Sequence, residues 1–254
     1  MQPTSHTLSA DEAMALACAS TRVQPYRFIH KALRLMFAQA QQRAGALDAL
    51  DAAERAELVD ELDRLLAFCA DHLAHENRFL HAPLRERAPR AVLAFDDDHA
   101  QHTAAIDALR LLLQRVRDAA HDTSAGALAY ELYLRLSQFI GENLAHMVEE
   151  ETTMTRALWS AFTDDELNFH IGRLHASLSP DEHAFALQWM ARALNVSELV
   201  FLLDGMRAAM PAPAFAAAAG LVRGELDARR WARVADALRL GVAGAPWDIA
   251  RGAR

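Results

Sequence analysis

The chain has 254 residues, 52% of them hydrophobic and 24% charged, with 10 Gly, 8 Pro and 2 Cys, which excludes a disordered, collagen-like or disulfide-scaffold protein. A formal charge of -8 argues against nucleic acid or an acidic membrane as a partner, because no long basic run overcomes phosphate repulsion locally. Met1 to Ala10 holds no basic residue and no apolar run, and no apolar stretch reaches the roughly 18 residues that span a bilayer, so a cytoplasmic protein is expected.

Period-2 alternation is scarce and helical periodicity nearly continuous, so the chain reads as all-α. Residues 1–21 form an N-terminal segment in which Ser9 and Glu12 suit the start of one short helix. Pro25 can open a long helix that leaves near Gly45, since Pro suits a first helical turn and Gly an exit. Asp51 with Glu54 makes a capping box for a second helix, expected to run to His81 and to stop at Pro83. A third helix is expected over Leu93 to Asp118, a turn over His121 to Gly126, and a fourth helix from there to about Trp159. Four long helices with short connections predict an antiparallel four-helix bundle over residues 22–162. Residues 163–254 predict an additional C-terminal region of shorter helices, starting near Thr163, Ser179 and Ser197 and ending in a frayed Gly-Ala-Arg segment.

The chain has 12 His against 11 Phe, and the apolar seam of each long helix runs into them. Tyr26, His30, Leu33 and Phe37 share one face of the first helix. Leu62, Leu65, Cys69, His72, Glu76 and Phe79 share a face of the second. His99, His102, Ile106 and Leu109 do so in the third, and Phe139, Asn143, His146, Glu150 and Met154 in the fourth. In an up-down bundle these groups also agree in height, because helix starts lie level with the ends of their neighbours.

Burying such a cluster without a cation is costly, since carboxylates repel and imidazoles lack partners in a low-dielectric core. Five imidazoles and two carboxylates exceed the needs of one tetrahedral zinc and suit two first-row metals. The His-x-x-x-Glu spacing at His72/Glu76 and His146/Glu150 turns the second group only about 40° round a helix, so both can reach one metal pair. His75 falls off the stripe and reads as solvent-facing or as an outer partner of a ligand, while His6, His81, His121, His170, His175 and His183 have no matching partners and read as surface residues. Cys69 and Tyr26 could line a small-molecule pocket or simply pack the core. Zincin and ferritin-type carboxylate motifs are absent from the sequence.

These residues, over roughly 22–160, resemble the hemerythrin-like (HHE cation-binding) domains, four-helix bundles that hold a non-haem di-iron centre. The resemblance implies two iron ions, with zinc or manganese as substitutes, bridged by Glu76 and Glu150 and held terminally by His30, His72, His99, His102 and His146. The helix-three histidines stand three apart, where oxygen carriers space them by four, so either could lie outside the ligand set. Those carriers also place the last carboxylate where Glu151 stands, while Glu150 keeps the better helical phase. The implied function is binding of dioxygen or nitric oxide for storage, delivery or sensing, inside an apolar cavity of Leu33, Phe37, Leu65, Ile106 and Phe139. The alternative is a di-iron stress-response enzyme that reduces peroxide or oxygen, oxidises iron, or donates iron for iron-sulfur repair. The repair version is weakened because the N-terminal segment has only Cys18. The amphipathic C-terminal helices could fold back on the bundle or form a homodimer interface, and dimerisation is expected.

Overall fold

The computed structural model describes residues 10–119 and 123–240, and every regular element among them is helical. His6, Ser9, His121 and the terminal Gly252-Ala253-Arg254 lie outside the described residues. By their contacts the described residues group into two compact units, one holding residues up to Arg27 and Met36–Ser177, the other Phe28–Leu35 and residues from Leu178.

The elements in chain order are α1 (Ala10–Ala19), α2 (Arg27–Ala46), α3 (Ala52–Glu76), α4 (Ala82–Arg87), α5 (Leu93–Arg117), α6 (Thr123–Glu149), α7 (Thr155–Ala161) and α8 (Asp164–Ser177). A π turn over Asn77–His81 joins α3 to α4, and a second over Glu150–Met154 joins α6 to α7. The long helices α2, α3, α5 and α6 form the antiparallel four-helix bundle. Partner numbers fall on one helix as they rise on the next: Asn77 pairs with His99 and Asp60 with Arg117, while Asp98 pairs with His146 and Arg115 with Glu131. Leu58, Leu62, Leu65, Ile106, Leu109, Leu113, Leu132, Leu136 and Phe139, at helical spacings, bury themselves between these helices. Each such side chain stabilises the bundle by about 1.5–3 kcal/mol.

Several local expectations are corrected. The Pro25 helix begins at Arg27, and its exit residue Gly45 lies inside the helix. A Cβ there would come within 3.2 Å of the Tyr133 ring, so that glycine serves the close approach of α2 and α6. Asp51 accepts hydrogen bonds from the backbone N–H groups of Ala53 and Glu54, but Glu54 reaches Asp48 instead, leaving half of the capping box. Pro83 does not stop the helical path. It sits in the first turn of α4, directly after the π turn, and the chain keeps helical dihedrals through His81 and Ala82. Gly126 lies within α6, which already begins at Thr123. At the far end of this unit Arg22 ties the chain down, donating to the carbonyls of Trp159 and Phe162 and to the Asp164 carboxylate.

The second unit contains α9 (Pro180–Ala193), α10 (Val196–Ala209), α11 (Ala212–Glu225) and α12 (Ala228–Ala237). Its core is built from Leu187, Leu194, Leu199, Leu203, Val222 and Val234, with Phe28 packed against it. At the expected start of α9, Ser179 and Glu182 form a capping box. The start of α10 differs: Asn195, not Ser197, is the cap, its side chain accepting from Glu198 N while Glu198 accepts from Asn195 N. The other oxygen of Glu198 accepts from Lys31 Nζ at 2.6 Å. Replacing Asn195 by Ala is therefore expected to destabilise this unit by about 1 kcal/mol in denaturant titration. Ser197→Ala, on an exposed face, is expected to stay within about 0.5 kcal/mol of the parent.

Candidate metal centre

The bundle places seven predicted donors near one end. His30 stands in the first turns of α2, His72 and Glu76 in the last turns of α3, His99 and His102 in the first turns of α5, His146 in the last turn of α6 and Glu150 directly after it. Apart from half-buried His72, all are buried. The apolar residues Leu33, Phe37, Leu65, Ile106 and Phe139 are buried as well.

Two groups of donors emerge. His30, His72 and Glu76 each offer an atom, and these atoms lie within 4.8 Å of one another. His81, His99 and Glu150 form a second group by the same measure. Glu76 faces both, with one oxygen 3.1 Å from His72 Nε2 and the other 3.8 Å from His99 Nε2. Glu150 Oε1 lies 3.3 Å from His146 Nε2, 3.4 Å from His99 Nε2 and 3.9 Å from His81 Nε2. His102 belongs to neither group, and its ring stands edge-on to His146 with centroids 4.8 Å apart.

Outer hydrogen bonds orient the rings. His99 Nδ1 pairs with Asn77 Oδ1 at 2.8 Å, and His146 Nδ1 with Asp98 Oδ2 at 3.2 Å. With Nδ1 as the donor in each case, both Nε2 atoms present lone pairs to the centre, as outer partners do for metal-bound imidazoles. Those two Nε2 atoms are 2.9 Å apart. Nitrogens so close need a proton between them or a shared cation, and two nitrogens each roughly 2.1 Å from one ion at right angles stand roughly 3 Å apart.

At His81 and His102 the electrostatics favour the neutral imidazole, the form that binds metals. Burial, reinforced by His99, pushes His81 down to about 4, and burial, reinforced by His146 and His99, pushes His102 to about 4. For His146 burial acts in the same direction, but Glu150, Glu76 and Asp98 outweigh it and raise its pKa. Tyr26 is raised well above its usual value, first by burial and then by the charges of Glu150 and Glu76. Burial lifts the free Cys69 thiol to about 12, so it is an inert core group and no thiolate ligand. Both ring nitrogens of His81, and Nδ1 of His102, are buried without a hydrogen bond. Such groups are expensive in a core unless something coordinates them, and the donor set of imidazoles and carboxylates fits first-row metal ions.

His81, expected on the surface, is instead fully buried and joins His99 and Glu150 at the centre. In a regular α-helix, five residues after Glu76 is a rotation of roughly 140° away from its face. The π turn Asn77–His81 adds roughly one residue to that turn and brings His81 back to the Glu76 side. The run Phe79-Leu80-His81, three consecutive buried residues, is the trace it leaves in the sequence. Glu150 likewise opens a π turn. Its carbonyl accepts from the backbone N–H and the hydroxyl of Thr155, which fixes the wider turn. Of the remaining histidines, His75 and His170 are half-buried and His175 and His183 exposed.

The shifts give a sign for pH dependence. Unfolded imidazoles titrate near 6.5, whereas folded His81 and His102 refuse protons until about 4, so metal-free protein loses stability as pH falls through that window. His146, raised, acts in the opposite sense but is one group against two. Urea midpoints of chelator-treated protein are expected to fall between about pH 7 and about pH 5. A midpoint that rises on acidification would contradict this balance.

The family model described as "Hemerythrin HHE cation binding domain" matches residues 23–158, a span that contains every donor described above. Searches of curated proteins and of solved structures returned no match. With more than half of the chain matched, and with four helices, two His-x-x-x-Glu pairs and inward histidines in place, the chain belongs to the hemerythrin HHE cation-binding family.

Proposed function

We propose that this chain is a non-haem di-iron protein that binds dioxygen or nitric oxide. The observation that carries the reading is the meeting of two donor groups at Glu76, which faces His72 on one side and His99 on the other. One ion would be held by His30, His72 and Glu76, the other by His81, His99, His146 and Glu150. His102, outside both groups, would line the ligand position beside His146 and not coordinate. Iron in such a setting supplies the one-electron chemistry that dioxygen and nitric oxide require. The protein's own part is to orient the His99 and His146 rings through Asn77 and Asp98 and to exclude water with Phe37, Leu65, Ile106 and Phe139.

Anaerobically purified protein is expected to contain two iron ions per chain by elemental analysis. Glu150→Ala and His81→Ala are each expected to lose one of them, while His102→Ala keeps both. Oxygen admitted to the reduced protein should produce a visible absorption band that disappears when oxygen is withdrawn. A metal content below one ion per chain, or no spectral response, would overturn the reading. Sustained peroxide consumption that disappears in Glu150→Ala would move the assignment to a stress-response enzyme.

A further inference from the structure

We infer that the surface cavity over His99 is the port by which a divalent cation reaches the centre, with Asp96 as its receiving carboxylate; this rests on the di-metal reading above. The cavity, of about 320 Å³, is lined by Asn77, Arg85, Asp96, His99, Ala100 and Thr103. It therefore runs from an exposed ion pair to a buried imidazole of the second donor group.

The ion pair at its mouth is Arg85 with Asp96, one guanidinium nitrogen 2.7 Å from each carboxylate oxygen. Both side chains are partly exposed, 46% and 32%, and pairs of this kind hold weakly in water. Asp96 lies in the first turn of α5, where an acid also suits the helix dipole, so acidity alone identifies no ligand. The independent observation is His81. Its ring is fully buried and neither nitrogen makes a hydrogen bond. Nδ1 faces Asp96 Oδ1 and Nε2 faces Glu150 Oε1, each at 3.9 Å. The imidazole therefore stands between the carboxylate of the mouth and the carboxylate of the centre, stacked on His99 with centroids 4.7 Å apart.

A chain of oxygen and nitrogen donors from solvent to centre suits a hydrated cation, which must exchange its water for ligands in steps. An apolar gas gains nothing from such a lining. The incoming ion would displace Arg85 from Asp96, pass to His81 and His99, and settle at Glu150. Arg85 is then a latch and Asp96 a transit group, neither being a resident ligand.

The test is stopped-flow uptake of Co²⁺ by the metal-free full chain, read from cobalt absorption, with final cobalt per chain measured separately. Asp96→Asn is expected to slow uptake by about tenfold and to weaken its dependence on salt. Asp96→Glu should restore the rate, and Arg85→Ala should accelerate it at least twofold, all variants ending at two cobalt ions per chain. Asp96→Asn loading within a factor of two of the parent would overturn the port. Loss of one bound ion in Asp96→Asn would also overturn it, by making Asp96 a resident ligand. Failure of the parent itself to take up two ions would sink the di-metal reading and the port together, a result separate from either variant outcome.

Discussion

Imidazole and carboxylate groups buried among leucines are the constraint on which this fold turns. Water would solvate them well, and a helical core of Leu62, Leu65, Ile106, Leu109 and Leu136 does not. The protein answers in two layers. Asn77 and Asp98 hold the outer nitrogens of His99 and His146, and the inner nitrogens meet Glu76 and Glu150. What the protein alone leaves unmet, most plainly at His81, has the chemistry of a metal ligand set. The buried imidazoles and the carboxylates of Glu76 and Glu150 gather at one end of the bundle, while buried Arg55 at the other end is met by the carbonyls of Ala49 and Ala119.

The two π turns are the local devices that make this layer possible. Each begins at or directly after the glutamate of a His-x-x-x-Glu pair, at Asn77 and at Glu150. A wider turn at this point changes the phase of everything beyond it, so α4 and α7 bury faces that a regular helix would have turned elsewhere. Leu80, Leu84, Met154 and Leu158 then share one apolar cluster with Tyr26 and Phe95, next to the polar layer. Functional sites often carry such turns because an altered phase gathers side chains that 3.6-residue periodicity separates.

The second unit shows a different balance. Its four short helices close a largely aliphatic core against which Phe28 packs, with capping boxes at Ser179 and Asn195 and an Asp227 cap on α12. Glu198 is buried yet satisfied, sharing its oxygens between the Asn195 backbone and Lys31. Short helices gain little from propensity alone, so the caps and this core supply most of their stability.

The helical class, the four long helices and the inward direction of His30, His72, Glu76, His99, His146 and Glu150 are legible in the order of residues alone. These follow from periodicity, and a stripe that repeats every three or four residues can face only one way on an α-helix. Caps were legible where one side chain meets one backbone group, as at Asp51 and Ser179, and less so where two candidates stood close, as at Asn195 and Ser197. The burial of His81, the passage through Pro83, the tight packing at Gly45 and the separation of His99 from His102 emerge once the helices pack. Each depends on a turn's width or on a neighbour brought in from another helix, and neither is encoded in the spacing of residues along a single helix.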